Sequence, residues 1–314
     1  MYRFEVTTIG TGAALPAAGR QPTAQVVNIG DRLYMVDCGE GTQEQLRRHG
    51  IRMPHLKHIF ISHLHGDHYL GLMGLLSTLH LLGRTDELHV HGPEPLGEII
   101  HVQLRASQTW LRYPLRIHVA PQATGALVME DERLEVTALE LQHRIPCTGF
   151  LFREKHGRLR LRPEAVDRIP HYQRNSVKLG QDLVLADGTV IPNDQLTIPH
   201  GKPRTYAYCS DTAYRPALLE ALRGVDLLYH EATFTEHLAG RAKETMHSTA
   251  AQAATLARDA GVGHLLLGHF SSRYKTVEPL LKEALAIFPS TTASVEGGCY
   301  AVGPPTGVGN MPGR

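Results

Sequence analysis

Nearly every apolar run in this chain stops on a histidine or an acid, and that habit limits the folds open to it. LYMVD ends at Asp37, HIFISH at His63, LEVTALELQH at His143, TYAYCSD at Asp211, LLYHE at His230 and Glu231, and HLLLGH at His269. Their Val, Ile, Leu and Tyr content, in alternating or continuous apolar runs, predicts strands. Strands that exit onto titratable groups make one rim of a sheet assembly the working edge, because rigid strands hold the side chains that the loops carry. Between them lie helix patterns. Thr249-Ala250-Ala251-Gln252 reads as a capping box before AAQAATLARDAG, with Gly261 as the stop, and puts His247 just ahead of a helix N-terminus. LGLMGLLSTLHLLG, after His68, predicts a second helix whose small and apolar faces point to deep burial. Strands followed by helices in both halves, without an internal repeat, fit a sheet-on-sheet core with helices outside.

Composition narrows the class. Hydrophobic content of 42% and charged content of 20% over 314 residues supply a core and exclude large-scale disorder. One domain over residues 1–314 with an insertion is the expected organisation. The start, MYRFEVTTIGTG, runs straight into a strand pattern without a leader, and no window reaches membrane-span length, so a cytoplasmic location without membrane attachment is expected. Cys38, Cys147, Cys209 and Cys299 lie far apart, so any metal must be held by nitrogen and oxygen. Ile9-Gly10-Thr11-Gly12 is not a dinucleotide fingerprint, since the third glycine would fall at Leu15; it reads as a tight strand exit.

A net charge of only +1 conceals a local excess. Arg153, Lys155, Arg158, Arg160, Arg162, Arg168, Arg174 and Lys178 face three acids in the same stretch, Glu154, Glu164 and Asp167, so that segment carries +5 and the remainder −4. Concentrated positive charge on an otherwise neutral protein is the footprint of a phosphate-binding element. Residues 153–203, with turn signals at Asp187-Gly188 and Pro192-Asn193, read as an inserted arm. The Gly-rich tail GPPTGVGNMPGR reads as a frayed end.

The chemistry is concentrated in Ser62-His63-Leu64-His65-Gly66-Asp67-His68. Two imidazoles one residue apart at a strand exit can converge, and a tight turn lets Asp67 and His68 face a second point, so the spacing suits two adjacent metal ions. Neutral imidazole and carboxylate favour a transition metal such as zinc, manganese or iron over calcium. Packing so many polar groups against apolar runs is costly without a metal. Among the 20 histidines, His55, His58, His80, His89, His91, His101, His118, His156, His171, His200, His237 and His264 read instead as ordinary surface or core residues.

This segment matches the H-x-H-x-D-H motif and so resembles the metallo-β-lactamase superfamily. SHLHGDHYLGLMGLL, GTGAALP, YMVDCGEGTQ, CSDT, HEATF, MHSTAAQAA and GHFSSRY, spread along nearly the whole chain, resemble its tRNase Z branch more closely. The resemblance implies an αββα sandwich with an inserted basic arm, and a zinc-dependent endoribonuclease that removes the 3′ trailer from precursor tRNA. It implies two zinc ions per subunit, a site that manganese also suits. One is expected on His63, His65 and His143, the other on Asp67, His68 and His269, with Asp211 bridging. Asp67 is expected as general base, and His247, oriented by Glu231, is expected to assist the departing oxygen. A homodimer is implied by the resemblance alone. Arg273 is a candidate phosphate contact, since a guanidinium can bind phosphate oxygens bidentately.

Two segments depart from the family pattern. The arm tip, IPHYQRNSVKLGQD, lacks the common Gly-Pro-rich form, although its basic residues remain. Near the start, Pro16-Ala17-Ala18-Gly19-Arg20-Gln21 keeps Arg20 of P-x-K-x-R-N but has Ala18 for the lysine and Gln21 for the asparagine, so discrimination against CCA-bearing tRNA is expected to be weaker or arranged differently. Two other readings remain: a small-molecule phosphodiesterase or other hydrolase on the same fold, and an RNA-binding or metal-storing protein without turnover.

Overall fold

The structure, a computed structural model, describes residues 3–155, 157–199 and 201–303. His156, His200 and nearly all of the Gly-rich tail lie outside the described residues. In chain order the strands are β1 (Phe4–Gly10), β2 (Ala24–Ile29), β3 (Arg32–Cys38), β4 (Leu56–Phe60), β5 (Leu88–Gly92), β6 (Leu115–Val119), β7 (Leu127–Glu130), β8 (Leu134–Leu141), β9 (Cys147–Glu154), β10 (Arg160–Leu161), β11 (Leu183–Val184), β12 (Val190–Ile191), β13 (Thr197–Ile198), β14 (Thr205–Cys209), β15 (Leu227–Glu231), β16 (His264–Gly268), β17 (Thr291–Ala293) and β18 (Cys299–Ala301). They build two seven-stranded sheets, ordered β18-β1-β2-β3-β4-β5-β6 and β17-β16-β15-β14-β9-β8-β7. The remaining strands form two short pairs, β10 with β13 and β11 with β12.

The described residues divide into two compact units, one within residues 1–129, 136–152 and 204–314 and the other made of 130–135 and 153–203. In the first, the inner faces of the two sheets meet through aromatic and polar side chains. Phe60 of β4 lies 5.3 and 5.4 Å, centroid to centroid, from Phe150 and Phe152 of β9, and Tyr206 and Tyr208 of β14 donate to Gln25 of β2 and Asp37 of β3. The outer faces are covered by helices. Leu46, Leu72, Leu75, Leu76, Leu79, Leu96 and Ile100 join the first sheet's cluster, while Ala250, Ala253, Ala254, Ala257, Leu280 and Ala284 join the second's. The result is the expected helix, sheet, sheet, helix layering.

The helix Leu72–Leu81 buries positions 72, 75, 76 and 79, the stripe that a helical period dictates. Each such leucine contributes about 2 kcal/mol of apolar burial. The sequence predicts deep burial for this stretch; the structure limits it to one face, because Leu81 and Leu82 at its end are 81% and 56% exposed. The capping box before Ala250–Asp259 is present, with the Thr249 side chain accepting from Gln252 N–H and the Gln252 side chain accepting from Thr249 N–H.

Strands β3, β4, β5 and β6 run parallel, as do β14, β15, β16 and β17. Parallel strands deliver their carboxyl ends to one edge, where loops can gather side chains. Gly10 at the exit of β1 fits that crowding: a Cβ there would lie 1.7 Å from the Pro22 carbonyl oxygen.

The second unit has a small core of its own, formed by Ala165, Ile169, Val177, Leu183 and Leu196. Asp187-Gly188 makes the β11–β12 turn, with Gly188 at φ 86°. Pro192-Asn193 opens a short helix, Asn193–Leu196, instead of a simple turn. The divergent segment of 169–182 is also ordered, since Arg174–Lys178 is helical and buries Val177.

Candidate active site

Asp37, His63, His143, Asp211, Glu231 and His269 all lie at or just beyond the ends of β3, β4, β8, β14, β15 and β16. The ligand atoms expected from the sequence fall into two groups there. In one, His65 Nδ1 lies 3.0 Å from His63 Nε2 and 3.1 Å from His143 Nε2. In the other, His269 Nε2 lies 3.3 Å from both His68 Nε2 and Asp67 Oδ2. Asp211 addresses both. Its Oδ2 is 3.6 Å from His63 and 3.8 Å from His143, and its Oδ1 is 3.3 Å from His68 and 3.1 Å from His269.

Four of these five imidazoles are steered by a bond on their other face. His68 Nδ1 lies 2.7 Å from Asp37 Oδ2, His143 Nδ1 2.9 Å from the Met246 carbonyl, His63 Nδ1 3.0 Å from Ser62 Oγ, and His269 Nδ1 3.0 Å from Thr233 Oγ1. Such partners fix tautomer and ring orientation and so aim the remaining nitrogen. Asp37 also accepts from Ser62 N–H at 2.8 Å and from the Tyr208 hydroxyl at 2.5 Å. The sequence reads Asp37 only as a strand end, and its position at the end of an apolar run was the available signal.

The backbone is strained where the site requires it. Asp37, Met246 and His269 have φ of 57°, 56° and 56°, and Ala14, whose N–H donates to Asp67 Oδ2 at 2.7 Å, has 67°. Residues other than glycine adopt this region at a cost that surrounding structure must hold in place.

Electrostatics suit cation binding. Burial first, then the neighbouring His68, keeps His63 well below the usual imidazole range; burial likewise lowers His65 and His143, so their lone pairs are available. For His68 burial works the other way from the outcome: Asp211, Asp67 and Asp37 push it well above the ordinary value. A metal cation in that group would take the place of the proton. Asp211 Oδ1 is buried with no hydrogen-bond partner in the described structure, an orphaned acceptor that a metal would satisfy. The donor set and this orphan fit a first-row transition metal.

His247 stands beside this cluster. Its Nδ1 lies 2.8 Å from Glu231 Oε1, and Glu231 is fixed by Thr212 N–H at 2.9 Å and the Thr233 hydroxyl at 2.6 Å. Burial disfavours a charged His247, but Glu231, through charge and hydrogen bond, with Asp211 adding, raises it to about 9. It is therefore protonated at neutral pH.

The cluster opens into a cleft of about 640 Å³ lined by His65, Asp67, Asp211, His247 and His269. Arg273 lines it too, as do Arg144 and Arg241, which sequence reasoning missed. Arg144 follows His143 directly, which was the signal for it. Arg20 is committed elsewhere: its guanidinium donates to the carbonyls of Ser271 and Tyr274 at 3.2 and 2.7 Å, tying its loop to the one that bears Arg273. The arm's basic residues belong to the second unit. Arg153, Arg160 and Arg168 are exposed. Lys155 pairs with Glu130, Arg158 bonds Asn175, Arg162 reaches the Asp194 carbonyl, and Arg174 bonds the Val166 and Ile169 carbonyls; Lys178 is half-buried.

Comparison with known proteins gives a consistent result. A ribonuclease Z of Bacteroides fragilis (strain YCH46) is 50% identical over 96% of this chain and all of its own length. One of Bacteroides thetaiotaomicron is 48% identical over 96% of each. The structure of human tRNase Z, short form, superimposes with a TM-score of 0.70 at 28% identity, covering 95% of this chain and 99% of that one. The family model that matches, over residues 4–106, is described as anti-Pycsar protein Apyc1.

Proposed function

Because the chain belongs to the ribonuclease Z family, we infer that it is an endoribonuclease that removes the 3′ trailer from precursor tRNA, leaving a 3′ hydroxyl on the tRNA and a 5′ phosphate on the trailer. The observation that carries this reading is the pair of ligand groups joined by the two oxygens of Asp211. His63, His65 and His143 would hold one metal, Asp67, His68 and His269 the other, with Asp211 between them. The donor types favour two zinc ions per subunit, with manganese an acceptable substitute. When bound, such metals stabilise charge on phosphoryl oxygens and make water a better nucleophile near neutral pH.

The chain's own residues supply positioning and proton transfer. Asp67 is held by the Ala14 N–H through Oδ2, and its other oxygen makes no hydrogen bond among the described residues, so Oδ1 is available to accept a proton from the attacking water. His247 carries a proton at neutral pH and faces the cleft, so it can deliver that proton to the departing oxygen while Glu231 stabilises its charge. Arg273 is suited to a phosphate of the substrate. The exposed Arg153, Arg160 and Arg168 support a role for residues 153–203 as an arm that grips the folded tRNA through its phosphates, with the remaining arm cations contributing to the field. Arg20 would serve the substrate through the loops it ties together. A cytoplasmic homodimer completes the reading and rests on family resemblance.

Incubation of purified protein with a 3′-extended precursor tRNA, with and without chelator, tests this function. Metal-dependent cutting beside the discriminator nucleotide with a 3′ hydroxyl on the tRNA is expected. Turnover of a small phosphodiester with the precursor left intact would point instead to a small-molecule phosphodiesterase.

A further inference from the structure

A second cavity, of about 600 Å³, adjoins the catalytic cleft, and His247 is the residue that lines both. Its walls continue the active-site loops. Gln142 immediately precedes His143, and Tyr214 follows Asp211 in the same loop. The opposite wall is the helix Ala239–Thr245 with Met246, whose left-handed φ of 56° and whose carbonyl, bonded by His143 Nδ1 at 2.9 Å, lock it to the ligand cluster. The size lies within the range of small-molecule pockets.

The polar groups around this cavity are uncommitted. The Gln142 carboxamide, the Tyr214 hydroxyl and the Lys243 ammonium make no hydrogen bond or ion pair among the described residues. Gln252 engages only its Oε1, on the Thr249 N–H at 3.0 Å, which leaves Nε2 free to donate. Tyr214 is half-buried against the second sheet's cluster, so its ring is anchored, yet it stacks on no other aromatic ring among the described residues. At Gly240, which also lines the cavity, a Cβ would meet nothing within 4 Å, so the space beside the helix is open.

These groups match the parts of a nucleotide. An aromatic ring stacks on any base, carboxamides meet the donors and acceptors of a base edge, and an ammonium meets phosphate. Continuity with the cleft through His247 decides which nucleotide: one next to the phosphate held at the metal ligands. Resting on the endoribonuclease reading above, we propose that this cavity receives an unstacked nucleobase adjoining the scissile phosphate. The base stacks on Tyr214 and meets Gln142 and Gln252 at its edge, with Lys243 on the backbone.

A double-mutant cycle between protein and RNA tests this. Zinc-loaded wild type and Tyr214→Ala are compared on intact precursor tRNA and on two precursors that each lack one base, at the last tRNA nucleotide or at the first trailer nucleotide. At one of these positions, loss of the base should lower wild-type kcat/KM about 10- to 100-fold, the effect of losing one base–aromatic stack. Tyr214→Ala should lower it by a similar factor on the intact precursor and hardly further on that abasic one. A merely structural role for Tyr214 would lower all substrates alike, so losses that multiply at both positions overturn the proposal. Should Tyr214→Ala melt below the wild type, Gly240→Leu decides, since it adds bulk to the cavity at a helical glycine where a side chain meets no clash. It should slow cutting of the intact precursor and spare the abasic one; an equal effect on both, or none on either, overturns the proposal. Failure of the wild type to cut the intact precursor would instead defeat the reading of the function on which this one rests.

Discussion

Acid should destabilise this protein through His91 as well as through its active site. His91 stands on one face of β4, β5 and β6 with His58, His89 and His118. Ring centroids are 4.7 Å apart for His58 and His89 and 4.6 Å for His91 and His118, and the nitrogens of His58 and His91, and of His89 and His118, approach to 3.0 Å. His91 is only 3% exposed, and its Nδ1 has no hydrogen-bond partner among the described residues. Burial, then the neighbouring His58, His118 and His89, lowers its pKa to about 2. An imidazole that resists protonation in the native state but accepts a proton near pH 6.5 when unfolded lends stability above that pH, and the stability is lost as pH falls below it. Each pH unit is worth about 1.4 kcal/mol, so acidification from pH 6.5 to 5.0 costs about 2 kcal/mol through this residue alone. Urea unfolding of wild type and His91→Phe at pH 7.5, 6.5, 5.5 and 5.0 measures it, because the active-site histidines titrate in both proteins and cancel in the difference. Wild type should lose about 2 kcal/mol more than the variant between pH 6.5 and 5.0. Parallel stability curves would refute the reasoning.

Four further outcomes are expected. His247→Ala should reduce kcat on precursor tRNA by about 10²- to 10⁴-fold, and Glu231→Gln, by removing the charge that holds His247 near 9, should move the alkaline limb of the pH–rate profile to lower pH; an unmoved limb would exclude His247 as the acid. Asp37→Asn should weaken zinc affinity by about 10- to 100-fold, read by competition with a chromogenic chelator, because His68 loses its carboxylate partner. Charge reversal at Arg160 and Arg168 together should weaken tRNA binding and flatten its salt dependence, and an unchanged salt slope would remove these residues from the contact.

Much of this was legible in the sequence because strand endings obey a period that can be read along the chain. The apolar runs stopping at His63, His143, Asp211, Glu231 and His269 each became a strand delivering that residue to the rim, and the local capping box at Thr249 formed as written. What escaped was set by distance in sequence. His58, His89, His91 and His118 read as ordinary residues because only strand pairing across β4, β5 and β6 stacks them. Arg20 ties its loop to the one that bears Arg273 through carbonyls some 250 residues away, a link that nothing local reveals. Asp37 lies 31 positions from the His68 ring it steers, and only the fold joins them.

Metal content tests the paired site most directly. Elemental analysis of the purified protein after zinc loading and exhaustive gel filtration should give two zinc ions per chain, and His65→Ala should leave one, because the group of Asp67, His68 and His269 stays intact. One zinc or none in the wild type, or two retained in the variant, would contradict a site built from two ligand groups joined by Asp211.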